Sequence, residues 1–256
     1  QLKNVNPYIY GSLRVDDIRN VKEILPGTVY IAPETGNDYL RNKILLKTSK
    51  LKSIKEDIEY ILKETKVDSL VLCNIVGIPT ETGNDYDESI DLIIWAGRQM
   101  GKLRKHGGEI SVSIDPLLPQ PGTPYEEHGM IGPDTFEKIV GNFSERIEAA
   151  LPENVHFSIR HIEPLDHLVE GIVNTGDQWT GDFFFALYNE NNNVTHWNIP
   201  GIIKAYNEKI KVNDSSDYLH RGNWQVKPWK MIDFGNARQL EKAKAAIKKN
   251  IHDRKA

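Results

Sequence analysis

The sequence predicts an α/β fold, a partial (β/α) TIM-like barrel with parallel strands, and two observations indicate it. Apolar, β-rich runs alternate with helical patterns in units of roughly 40 residues. The six residues Glu34–Tyr39 recur unchanged as Glu81–Tyr86, and each copy follows an apolar run and a proline. Such loops place a carboxylate at the carboxyl end of each strand, where α/β proteins usually bind ligands. The alternative is that both copies are only good turn and helix-capping sequences.

The elements of the first part of the chain follow from periodicity and from turn residues. Apolar runs predict strands, and apolar positions at helical spacing predict helices, as at Ile54, Ile58 and Ile61 behind Ser53, a natural N-cap. Gly107 and Gly108 end one helix, and Pro133 is suited to the first turn of another. Strands are predicted at 8–15, 28–32, 69–76, 109–114 and 155–159, and helices at 17–25, 38–46, 53–66, 85–106 and 133–151.

The pattern changes after His161, which predicts a domain boundary near residue 160. Residues 1–160 contain about five strands, too few for a complete eight-stranded barrel, so we expect half a barrel. Residues 161–256 predict a mainly helical, aromatic-rich extension, with helices at 164–174 and 176–189, an irregular tryptophan-containing stretch and a basic helix from Arg238. The lysines of that last helix are expected to face solvent, although they could contact an acidic partner.

Composition restricts the class of protein. The formal net charge of −4 in 256 residues gives no sign of a nucleic-acid-binding protein. No apolar stretch reaches the ~20 residues of a membrane span. The one cysteine, Cys73, excludes an internal disulfide, fits a cytoplasmic location and is expected to be a buried core thiol. The first residue is Gln1, which suggests a fragment of a longer polypeptide.

Glu34 and Glu81 are the best candidates for binding a ligand. A carboxylate at a strand end can accept hydrogen bonds from hydroxyl or amine groups of a ligand, although it could equally stabilise only the helix dipole. Arg14 ends the first predicted strand and belongs to the same edge, unless it forms only a surface ion pair. The catalytic residues are unknown, because dinucleotide, P-loop, zincin and nucleophile-elbow motifs are absent. No metal site is expected.

Three motifs in order along the chain resemble the second half of a radical SAM enzyme. They cover roughly residues 10–150 and consist of Ser12–Asp16 with Tyr30–Gly36, then Val76–Thr82, then Ser111–Ile114 with Leu118–Pro124. The second motif is similar to the Gly-hydrophobic-Pro-x-Glu-Thr sequence of the fifth strand in that family. The branch that it most resembles often carries an N-terminal cobalamin-binding domain, so cobalamin is a possible cofactor.

The resemblance implies an enzyme that cleaves S-adenosylmethionine on a four-iron four-sulfur cluster, giving a 5′-deoxyadenosyl radical that acts on an unknown substrate. The cofactors supply this chemistry, and the protein positions them. By the resemblance, Glu34 would lie near the ribose or methionine part of S-adenosylmethionine. Gly77, Ile78 and Glu81 would lie by its adenine, and Arg14 would face the same cavity.

The sequence departs from the family at the cluster. The family holds the cluster with a CxxxCxxC loop, and this chain has only Cys73. Either the loop belongs to sequence before Gln1, or the protein is a relative without a cluster. This chain alone is expected to be inactive.

Two rivals stay open. One is another TIM-barrel enzyme that uses Glu34 and Glu81 as acid and base, and the other is a non-catalytic protein with a binding or structural role. A half barrel would also expose a strand edge, so either self-association through that edge or packing of the C-terminal tail over it is expected.

Overall fold

A computed structural model describes residues 27–175, 181, 232 and 235–255 of the chain. Four strands form one parallel sheet whose spatial order follows the chain order. The strands are β1 (Thr28–Glu34), β2 (Ser69–Val76), β3 (Gly108–Pro116) and β4 (Val155–His161). The α/β class and the parallel sheet are therefore confirmed, and closure into a barrel stays an expectation.

Helices connect the strands, as the alternating pattern predicts. A short π-helical turn at Leu40–Ile44 leads into α1 (Leu51–Glu64), and α2 (Gly83–Leu103) joins β2 to β3. After β3 come α3 (Pro133–Ala150) and, beyond β4, α4 (Pro164–Thr175). The last described helix is α5 (Ala237–Lys255). Some predicted features lie outside the described ranges. They are the elements at 8–15, 17–25 and 176–189, apart from residue 181, and the three tryptophans at 197, 224 and 229.

The predicted start of α1 is wrong, for a tertiary reason. Ser53 was expected to cap the helix, but α1 begins two residues earlier, with Lys50 in the N-cap position. The Asp38 carboxylate accepts a hydrogen bond from the Leu51 backbone N–H at 2.7 Å. The first turn is therefore capped from the first hexapeptide copy, a contact that local spacing does not show.

The two faces of the sheet differ in polarity. Leu70, Leu72, Ile110 and Val112 are almost fully buried. On the opposite face, the alternate positions of β3 are polar, whereas those of β2 include Val71 and Cys73. There the Glu109 carboxylate accepts hydrogen bonds from Ser69 Oγ at 3.2 Å and Ser158 Oγ at 3.1 Å, and Ser158 Oγ also contacts Ser111 Oγ at 2.9 Å. A sheet buried on both faces would be apolar throughout. This face instead buries polar groups that are paired with one another.

The chain divides into two compact units. Of the described residues, the first unit contains 27–115 and 138–162, and the second contains 116–137 and those from 163 onward. The domain boundary predicted near residue 160 stays a prediction.

In the second unit, α5 is not wholly solvated. Ile247 is buried, and Lys244 Nζ lies 2.6 Å from the buried carboxylate of Glu126. Across the described residues, no helix is both long and apolar enough to cross a membrane.

Candidate functional site

The first candidate loop leaves the carboxyl end of β1 in a strained conformation. Glu34 has a φ of 64°, in the left-handed region that side chains other than glycine rarely adopt. Its carboxylate is largely buried, at 12% exposure, and lies 2.7 Å from Lys47 Nζ. Strain of this kind persists only where the surroundings enforce it. The loop is therefore held in place rather than adaptable.

The buried side chain of Arg41 enforces that conformation. It donates hydrogen bonds to the carbonyl oxygen of Pro33 at 2.8 Å, to that of Thr35, and to Asp38 Oδ1 at 2.9 Å. Burial lowers the pKa of the guanidinium, and the carboxylates of Asp38 and Glu34 oppose that change. Arg41 thus fixes the backbone on both sides of Glu34.

The remainder of the first hexapeptide packs against α2, the helix that follows the second copy. Gly36 N–H donates to Ser89 Oγ at 2.8 Å, and Asn37 Nδ2 donates to Glu88 Oε2 at 2.8 Å. A β-carbon on Gly36 would lie 2.2 Å from the Glu88 carbonyl oxygen. Glycine is therefore required for this close contact, which holds the two loops side by side.

The second candidate loop leaves β2 and closes on its own glutamate. Glu81 Oε2 accepts hydrogen bonds from the backbone N–H groups of Gly77 at 2.6 Å and Ile78 at 3.1 Å. Burial raises the pKa of Glu81 to about 7, although these backbone donors and the Tyr86 side chain oppose the rise. The Gly77 and Ile78 N–H groups, expected to face adenine, are therefore occupied by Glu81.

The second hexapeptide has a different structural role from the first. Thr82 is the N-cap of α2, and its N–H and hydroxyl both donate to Asp85 Oδ2, at 2.7 and 2.8 Å. In the first copy the capping residue is Asn37, whose Oδ1 accepts a hydrogen bond from the Leu40 N–H at 2.9 Å. Both copies therefore contain a side chain that caps a helical turn, but it falls two residues later in the first copy.

The ends of three neighbouring strands share one electrostatic environment. The pKa of the Cys73 thiol in β2 is raised by burial, then by the carboxylates of Glu34 and Asp115 at the ends of β1 and β3. Cys73 is only half-buried, so its prediction as a core thiol is wrong. The carboxyl edge of the sheet is therefore acidic, and it suits cationic or hydroxylated ligands.

Two buried oxygen atoms near the carboxyl end of β2 have no hydrogen-bond partner among the described residues. They are Asn74 Oδ1, in a residue that is 1% exposed, and Thr80 Oγ1. Thr80 also has a left-handed φ of 72°. Buried polar atoms are usually paired, so each of these two oxygens has unused acceptor capacity.

The structure brings together four of the five predicted site residues. Glu34 lies at one strand end, while Gly77, Ile78 and Glu81 share the adjacent loop. Arg14 lies outside the described residues. Within the described ranges, no three histidine, cysteine, aspartate or glutamate side chains are grouped to hold a metal ion.

Sequence reasoning missed the supporting roles of Arg41 and Tyr86. The contacts of Arg41 with backbone carbonyls have no sequence signature. Tyr86 follows Glu81 by five residues, and that spacing alone would not have indicated a hydrogen bond.

Comparison with curated proteins finds a distant relative. The chain is 32% identical over 118 residues to an uncharacterized protein, MJ0966, of Methanocaldococcus jannaschii. The match covers 45% of this chain and only 24% of the archaeal protein. No family model matches the chain, and no solved structure matches it.

Proposed function

We propose that this chain contributes the S-adenosylmethionine-binding part of a radical SAM enzyme, with the ligand at the carboxyl edge of β1, β2 and β3. The observation that carries the proposal is the adjacency of the Glu34 and Glu81 loops. Both follow neighbouring parallel strands, and both belong to motifs with the family's order. Parallel α/β sheets bind ligands at this edge.

The strand order supports a barrel origin for the sheet. Doubly wound folds reverse the strand order at a switch point, where their ligands bind. In a (β/α) barrel, each strand instead lies beside the next one in the chain. The order β1-β2-β3-β4 has no reversal, which is the arrangement of a barrel segment.

The residues at this edge fit the chemistry of S-adenosylmethionine. The ligand carries an amine and ribose hydroxyls that can donate hydrogen bonds to carboxylates such as those of Glu34 and Asp115, and a sulfonium that their negative charge attracts. The unpartnered oxygens of Asn74 and Thr80 provide two further acceptors if small shifts expose them. Because Glu81 already occupies two backbone donors, its contribution is to hold the shape of the loop.

The residues do not fit an iron–sulfur cluster. Such clusters need several cysteine thiolates, and the sequence contains one cysteine. The cluster that the resemblance implies would therefore be held by other sequence. Cobalamin likewise stays an expectation that rests on the resemblance alone. Reductive cleavage is the chemistry that the cofactors would supply, while this chain would hold the nucleoside part of the ligand.

Equilibrium dialysis with S-adenosylmethionine tests the proposal. We expect saturable binding that adenosine competes away and methionine does not. Glu34→Gln should weaken binding on the order of tenfold, because a charge-assisted contact is lost. Glu64→Gln, at an exposed position in α1, is the matched control. Absence of saturable binding, or equal binding by the two variants, would refute the proposal.

Anaerobic reconstitution with iron and sulfide tests the separate statement about the cluster. We expect this chain to acquire no visible iron–sulfur absorbance, because Cys73 cannot supply the required ligands. Cys73→Ser is the control, and its spectrum should match that of the unaltered chain. A stoichiometric cluster in the unaltered chain would contradict the prediction.

The pKa of Glu81 favours a second candidate, a different barrel enzyme in which Glu81 acts as a general acid or base. Burial raises that pKa to about 7, the range in which such catalysis is most effective. This candidate requires Glu81 to exchange protons with a ligand, so Glu81→Asp should retain part of any activity and Glu81→Gln none. In the S-adenosylmethionine proposal, the side-chain amide oxygen introduced by Glu81→Gln can still accept hydrogen bonds from the Gly77 and Ile78 N–H groups. The variant should therefore retain binding.

A further inference from the structure

The opposite end of the sheet carries a cavity that the proposed function does not use. It has a volume of about 740 Å³ and lies at the amino ends of β2, β3 and β4. Ser69, Glu109 and His156 line it from the strands, and Arg104, Lys105 and His106 line it from the loop between α2 and β3. Its volume falls in the ~300–1,000 Å³ range of small-molecule sites.

The loop side of the cavity is basic, and its charges lack carboxylate partners. The Arg104 guanidinium donates only to backbone carbonyls, those of Ile61, Thr65 and Val67, and its Nε is buried with no partner. Lys105 and His106 are exposed, and neither pairs with a carboxylate among the described residues. The Arg104 and Lys105 cations, which form no ion pair among the described residues, suit a phosphate group, which offers several anionic oxygens.

The strand side of the cavity offers acceptors instead. Each oxygen of the Glu109 carboxylate accepts one serine hydroxyl, from Ser69 at 3.2 Å and from Ser158 at 3.1 Å. An ionised carboxylate has about four acceptor positions, so acceptor capacity is left over. Asp68 adds a second carboxylate to the lining. Carboxylates beside serine hydroxyls suit the hydroxyl groups of a sugar.

We propose that this cavity binds a hydroxylated phosphate ester, with its phosphate towards Arg104, Lys105 and His106 and its hydroxyl groups towards Glu109. The two ends of the cavity differ in charge, so a ligand that carries both groups satisfies both ends at once. A free sugar or inorganic phosphate satisfies only one end of the cavity. Sugar phosphates and nucleotides share this chemistry.

Isothermal titration calorimetry with ribose 5-phosphate and with AMP tests the proposal on the full chain. We expect saturable binding of ribose 5-phosphate at least ~10-fold tighter than that of ribose or inorganic phosphate, because both ends are then engaged. AMP binding tighter than ribose 5-phosphate would identify a nucleotide as the ligand, and equal binding would identify a sugar phosphate.

Two variants assign the binding to the cavity. Lys105→Ala should weaken ribose 5-phosphate binding about tenfold, the effect of a lost charge-assisted contact. Lys138→Ala, at an exposed position in α3 away from the cavity, removes the same charge and should have no effect. Glu109→Gln should reduce the preference for ribose 5-phosphate over inorganic phosphate.

Three outcomes would overturn the assignment. They are no saturable binding, equal weakening by Lys105→Ala and Lys138→Ala, and an unchanged preference in a folded Glu109→Gln variant. Because Lys105 is exposed, its variant is expected to fold even if Glu109→Gln does not.

Discussion

Arg41 shows how one side chain can define a functional loop without facing a ligand. Its side chain is fully buried, and its donors go to two carbonyl oxygens and to one half-exposed carboxylate. A buried cation is tolerated only when its hydrogen-bonding groups are paired, and here the backbone of the Glu34 loop provides the partners. The strained φ of Glu34 is the conformation that these contacts select.

Replacing Arg41 should therefore unfold the loop and destabilise the protein. Arg41→Met keeps much of the buried volume but leaves the Pro33 and Thr35 carbonyl oxygens without donors. We expect a loss of about 2–4 kcal/mol in the free energy of unfolding, measured by urea denaturation. Arg98→Met, at an exposed site in α2, should cost about 0.5 kcal/mol or less. Equal effects of the two substitutions would show that Arg41 does not support the loop.

At the residue scale, the sequence predicts positions better than contacts. Glu34 is the last residue of β1, and Glu81 lies in the loop after β2. Both are therefore close to the expected places, because an apolar run followed by proline and a turn sequence defines a strand end locally. The occupation of the Gly77 and Ile78 N–H groups by Glu81 could not be predicted. It depends on a tight turn whose left-handed residues are Gly77 and Thr80, and threonine gives no signal of that conformation.

At the scale of elements, one hexapeptide serves two structures because its surroundings differ. Gly36 is buried against the backbone of α2, whereas Gly83 is exposed at the start of that helix with open space around it. Local sequence accounts for the turn and the cap in both copies. Packing of the first copy against α2 joins residues more than 50 positions apart, which a sequence pattern does not show.

The same substitution in the two copies should have opposite effects. Gly36→Ala places a methyl group 2.2 Å from the Glu88 carbonyl oxygen, so the loop and α2 must separate. We expect a loss of about 1–3 kcal/mol in the free energy of unfolding. Gly83→Ala meets nothing within 4 Å and replaces glycine in a helix, so stability should be unchanged or higher by up to about 1 kcal/mol.

Urea denaturation of Gly36→Ala and Gly83→Ala under the same conditions measures the two changes in the free energy of unfolding. Similar losses in both would mean that the copies are structurally equivalent, contrary to the contacts of Gly36. The comparison needs no further control, because each variant carries the same chemical change.

At the scale of the whole molecule, two buried titratable groups affect stability in opposite directions over nearly the same pH range. Burial raises the pKa of Glu81 to about 7 from 4.5 and lowers that of His167 to about 4 from 6.5. Between pH 4.5 and 7, folded Glu81 keeps a proton that the unfolded chain releases, so stability falls as pH rises. Between pH 4 and 6.5, unfolded His167 binds a proton that the folded chain does not, so stability rises with pH.

These opposing contributions should conceal each other in the unaltered protein and appear when either group is removed. Glu81→Gln leaves the His167 contribution, so its free energy of unfolding should increase between pH 4.5 and 6.5 more steeply than that of the unaltered chain. His167→Phe, which keeps a ring beside Phe136, should show a decrease over the same range. Each difference should be about 1–3 kcal/mol, since one pKa unit corresponds to about 1.4 kcal/mol.

Urea denaturation at pH 4.5, 5.5 and 6.5 measures both slopes, and the exposed Glu64→Gln supplies the baseline. The free energy of unfolding should change with pH in opposite directions in the two variants, because folding favours the protonated form of Glu81 and the neutral form of His167. Parallel pH profiles for Glu81→Gln, His167→Phe and Glu64→Gln would mean that neither buried group titrates with folding. Glu81 would then be an ordinary ionised loop carboxylate, which removes the basis for assigning it a general acid or base role and leaves loop closure as its contribution.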